Sequence, residues 1–106
     1  MSLFLRRIQE LVSVGDVRVS KHGYQELEKD GIDLESILIS IDRAEIVEEY
    51  PSYHKGHCVL VLQADQQSLP IHVLWGSRSD PSEAVLITSY RPDPVRWTSD
   101  FKVRIR

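Results

Sequence analysis

Hydrophobic positions in the first forty residues recur at helical spacing. Phe4, Ile8, Leu11 and Val12 lie among Arg6, Arg7, Gln9 and Glu10, which predicts a helix over residues 3–14, capped by Ser2 and stopped at Gly15. Val17-Arg18-Val19-Ser20 alternates and reads as a short extended segment. Ser20 then caps a second helix over 21–30, which Gly31 ends, and Asp33 caps a third over 34–41. Leu34, Ile37, Leu38 and Ile41 make the apolar stripe of a helix packed on a sheet.

From residue 45 the period changes to two. Strands are predicted over 45–50, 57–63, 71–75 and 84–90, separated by turn-forming segments too short to hold a crossover helix. Adjacent strands are therefore expected to pair antiparallel. The tail Phe101-Lys102-Val103-Arg104-Ile105-Arg106 also alternates and is expected to add a fifth, edge strand over 98–106, with its basic residues facing solvent. Helices followed by a meander predict an α+β fold: two to three N-terminal helices packed on a four- to five-stranded antiparallel sheet. At 106 residues the chain is expected to be a single domain over residues 1–106.

Composition narrows the function. The chain is 42% hydrophobic and 27% charged, which suits a folded globular domain. Its net charge of −3 weighs against a nucleic-acid binder, whose affinity comes largely from phosphate neutralisation, although a local basic patch is compatible with it. Arg6 and Arg7 interrupt the N-terminal apolar stretch, so no signal peptide is expected. No apolar run reaches membrane-spanning length, and a cytoplasmic protein is the expectation. The single cysteine, Cys58, lies in an apolar run and reads as a core residue.

Three groups of residues carry candidate chemistry. His54-x-x-His57 with His72 has short ligand spacing but no supporting cysteine or carboxylate, so solvated loop and strand histidines are preferred and neither metal nor cofactor is expected. Ser20-Lys21-His22 opens the second helix, with Glu26 one turn on. Histidine titrates near neutral pH and suits proton transfer, and a helix N-terminus favours anions, which makes Lys21 a candidate substrate contact. The plain alternative is a surface histidine with a helical partner. The third group is Tyr90-Arg91-Pro92-Asp93-Pro94-Val95-Arg96-Trp97. Here Tyr90, Arg91, Arg96 and Trp97 either line a groove or, equally, Trp97 staples the tail while the arginines stay solvated.

Taken in order, several motifs resemble the DUF4258 family of small bacterial domains. They are Ser20-x-His22, Gly31-Ile32-Asp33, Glu48-Glu49-Tyr50-Pro51, Leu69-Pro70-Ile71-His72-Val73 and the segment from Ile87 to Trp97. The resemblance spans residues 17–97 and leaves the helix within residues 1–15 as an addition. The family's helix-then-sheet order is similar to RelE-like and barnase-like ribonuclease toxins. That likeness implies a toxin–antitoxin setting and metal-independent endoribonuclease activity. His22 would then be general acid/base and Tyr90 and Arg91 phosphate-handling groups, with RNA or an antitoxin-like protein as partner. The competing reading is a non-catalytic protein-binding or homodimerising domain, motivated by the negative charge and the alternating tail. A small-molecule enzyme built around Tyr50, Tyr53, Trp75 and Trp97 ranks third.

Overall fold

The computed structural model describes residues 2–52, 56–77 and 83–105. Helix α1 (Leu3–Ser13) leads to strand β1 (Val17–Val19), and helices α2 (Lys21–Lys29) and α3 (Leu34–Ser40) follow. A 3-10 turn, Ile41–Arg43, then passes into the meander β2 (Glu45–Tyr50), β3 (Cys58–Ala64), β4 (Pro70–Ser77) and β5 (Ala84–Tyr90). Local chemistry explains the boundaries. Ser2 Oγ accepts from the Leu5 amide and Ser20 Oγ from the Gly23 amide, so each caps its helix. Gly15 and Gly31 take the left-handed conformation just beyond the ends of α1 and α2 (φ 83° and 61°).

The five strands form one sheet in the order β1-β5-β4-β3-β2. The meander is antiparallel as expected, but β1 pairs in parallel with β5. The fifth strand is therefore β1, and the expectation of an edge strand over 98–106 is corrected. Among the described residues the tail makes a single isolated bridge, Trp97 to Arg104, and otherwise folds across the sheet. Its alternation reflects a ribbon that turns basic groups onto acidic ones on the sheet, with Lys102 on Glu45 and Arg104 on Glu48.

Register divides the sheet into two faces. Val59, Val61 and Gln63 of β3 stand beside Trp75, Val73 and Ile71 of β4, and the helices cover this face with Leu5, Ile8, Leu11, Leu27, Ile37 and Ile41. Gln63, a buried polar side chain on this face, is fully engaged. Gln63 Nε2 donates to the Ile37 carbonyl (2.7 Å) and to Ser40 Oγ (2.8 Å), while its Oε1 accepts from Trp75 Nε1 (2.9 Å). A buried amide and indole are tolerated because each polar atom has a partner.

The second face carries three cross-strand rows: Arg18, Val85, Gly76, Cys58 and Tyr50; then Thr88, Leu74, Leu60 and Glu48; then Tyr90, His72, Leu62 and Glu45. The tail covers the third row. The first two border an open groove.

Candidate functional site

The groove has a volume of about 550 Å³ and is lined by Cys58, Leu74, Gly76, Val85 and Ile87, with Ser20, His22 and Thr88 among the remaining lining residues. Its apolar character follows from the strand pattern, in which both Leu74 and Val85 turn away from the helix layer. Gly76 keeps the groove deep. A Cβ at this position would stand 2.8 Å from Ile87 Cδ1, so any larger residue would push the isoleucine aside.

His22 is placed by its neighbours. Ser20 donates its hydroxyl proton to the Ile87 carbonyl (3.0 Å), and its amide donates to the Leu86 carbonyl (3.1 Å), which pins the start of α2 to β5. Gly23 lies against the same strand, where a Cβ would come within 2.8 Å of Leu86 O. His22, between these anchors, is held at the groove with a side chain 61% exposed, and its Nε2 is 3.7 Å from Glu26 Oε1. Arg18, exposed on β1, stands beside Val85 on the same sheet face. The sequence signal for Arg18 was the alternation of residues 17–19: with both valines turned to the core, the arginine between them must face the other way.

Apart from Lys21, which adjoins His22 in the chain, the other expected site residues do not gather at this point. Lys21 is exposed at the first position of α2. Tyr90 is on the groove's face but two residues past Thr88, where its hydroxyl lies 3.1 Å from His72 Nδ1. Arg91 turns away: it pairs with Asp65 (2.8 Å) and its amide donates to Asp30 Oδ2 (3.0 Å), beside a separate depression that includes Gly31 and Ser36. Arg96 is 82% exposed, 3.9 Å from Asp93. Trp97 is buried at the tail and sits edge-on against His72 with ring centroids 4.4 Å apart, so it staples the tail.

His72 departs from the expectation of a solvated side chain, and His57 is only partly exposed. His72 is fully buried, and burial holds its pKa below the ordinary value. His57 also borders the groove, but its ring turns towards the helix layer, stacked on Phe4 at 3.9 Å and 2.8 Å from Glu49. His54 and Tyr53 lie outside the described residues. Cys58 is buried as expected, and burial pushes its thiol pKa up, the opposite of what a nucleophile requires. Among the described residues no group of three or more metal-ligating side chains comes together.

At the β2 end of these rows the tail builds a polar network. Arg104 binds Glu48 through two contacts, Nε to Oε2 at 2.8 Å and Nη2 to Oε1 at 3.1 Å, while its guanidinium lies 4.7 Å above the Trp97 ring. This contact holds the Glu48 carboxyl below its usual range. Tyr50 donates to the same carboxylate, and burial together with that bond pushes its pKa up to about 12.

No helix among the described residues is long and apolar enough to cross a membrane. Residues 19–91 match the DUF4258 family, described as a domain of unknown function. Neither the curated proteins nor the solved structures provide a match.

Proposed function

The chain belongs to the DUF4258 family, and from that footing we propose that it is a toxin-like, metal-independent endoribonuclease whose general acid/base is His22. The observation that carries this reading is the placement of an exposed imidazole, with a carboxylate partner, at an open groove beside Arg18. In the proposed reaction, neutral His22 removes the proton of a ribose 2′-hydroxyl. The 2′ oxygen attacks the adjacent phosphorus, and the bond to the 5′ oxygen breaks. The leaving oxygen takes a proton from water, which yields a 2′,3′-cyclic phosphate and a 5′-hydroxyl.

Glu26, whose Oε1 lies 3.7 Å from His22 Nε2, orients the ring. Arg18 and Lys21 offset charge on the phosphate, a role for which Arg91, paired with Asp65, is poorly directed. Tyr90, engaged with His72 beneath the tail, stands apart from this step. An antitoxin-like protein is the partner class that accompanies this reading.

The test is cleavage of RNA by purified protein with chelator present. Wild type should cut and a folded His22→Ala variant should not. Equal cutting by both, or none by a folded wild type, overturns the proposal. The apolar groove and the net charge of −3 favour a second reading, a non-catalytic protein-binding or homodimerising domain. That reading gains from a folded protein that cuts no RNA and sediments as a dimer.

A further inference from the structure

We infer that the groove is a slot for one unstacked nucleobase, which makes single-stranded RNA, and not duplex, the substrate class. This inference rests on the ribonuclease reading above and concerns how the same site chooses its substrate. A phosphate gains nothing from a surface formed by Leu74, Gly76, Val85 and Ile87, whereas a planar base loses its contact with water there favourably. The cationic groups belong to Arg18-Val19-Ser20-Lys21-His22, a segment that puts Arg18 beside Val85 and Ser20 and His22 in the groove's lining, where the backbone of a nucleotide seated in the groove would pass. An acidic chain with two cations in that segment has weak long-range attraction for a polyanion, so the base must supply much of the affinity. Duplex RNA keeps its base faces stacked and offers none to a slot.

Gly76 is the residue that sets this selectivity. In the structure Ile87 occupies the space over Gly76, and a β-branched side chain at that position would drive Ile87 into the groove. The clash is with the end of a flexible side chain and the position is a strand, so Gly76→Val should fill the slot and still fold.

The experiment measures binding of a 2′-O-methyl RNA oligonucleotide, which lacks the nucleophilic hydroxyl, as a single strand and as a duplex. Wild type should bind the single strand at least about tenfold more tightly. A Gly76→Val protein with an unchanged circular dichroism spectrum should lose most of that affinity. With about two phosphate contacts, the slope of log K against log salt should be about −1.4. Equal binding of duplex, undiminished binding by Gly76→Val or a much steeper salt slope overturns the slot. So does a dimer that Gly76→Val dissolves, because a second copy would then be the occupant. Binding without cleavage of ordinary RNA removes the ribonuclease reading and leaves the slot standing. Cleavage that Gly76→Val leaves intact does the reverse.

Discussion

His72 Nε2 lies 2.7 Å from the carbonyl oxygen of Phe101, so a fully buried imidazole on β4 ties down the C-terminal tail. A carbonyl only accepts, which makes Nε2 the donor. Nδ1 then accepts from the Tyr90 hydroxyl at 3.1 Å. Neutral histidine satisfies both partners.

The pKa of His72 is lowered in the folded state, chiefly by burial. Below the ordinary histidine value the unfolded chain binds a proton that the folded one resists. Stability is therefore complete above about pH 6.5 and falls as pH drops from there towards the folded pKa. The carboxylates of Glu48 and Asp65 have lowered pKa values too, but their contribution is lost only below the ordinary carboxylate range. Thermal melts between pH 7.5 and 5 should decline for wild type and stay flatter for His72→Gln. Parallel profiles would show that another group titrates.

Arg104→Ala removes a two-point ion pair and a cation–π contact at a half-exposed position, with side-chain exposures of 54% for Arg104 and 29% for Glu48. Exposure to water limits the loss to about 1 kcal/mol, part of which salt should screen. Arg104→Lys should not restore it, because an ammonium lacks the planar fork that meets both oxygens. Urea titrations at low and high salt measure this, and full rescue by lysine would contradict it.

Gly23→Ala should cost about 1–3 kcal/mol, because its methyl group meets the backbone carbonyl of Leu86, which cannot rotate away. In an ordinary helix the same change would stabilise. A melting temperature at or above that of wild type would show that α2 has room to shift on β5.

Gln63→Leu leaves the Trp75 indole N–H without its acceptor in the core, at a cost of roughly 1–3 kcal/mol. Removing the indole donor as well, in Gln63→Leu with Trp75→Phe, should recover part of that. Denaturant titration of the two single variants and the double would detect this, and strict additivity would rule out the coupling.

Much of the fold was legible because it is written in local patterns. Ser2 and Ser20 announce the helices they cap, Gly15 and Gly31 their ends, and the alternation from residue 45 onwards the meander. The parallel pairing of β1 with β5 was not legible, since three residues fix neither a partner nor a direction. His72 illustrates another limit. Its exposed-looking place in an alternating strand assumes solvent on the second face, and the tail that buries it follows only after Tyr90. At the site, His22 could be found from its helix start and Arg18 from its valine neighbours. Arg91 misled because the pleat carries it away from the face that Tyr90 occupies, towards Asp65.

The pairing of residues 17–19 with 84–86 also orders events in time. Strands β2 to β5 join through short connections and need only local search, whereas β1 must close a loop of more than sixty residues before it gains a hydrogen bond. The pairing that positions Arg18 and His22 thus carries the largest loop-closure cost of the strand pairings described. A nascent chain completes the site only once β5, the last strand of the meander, is available to β1.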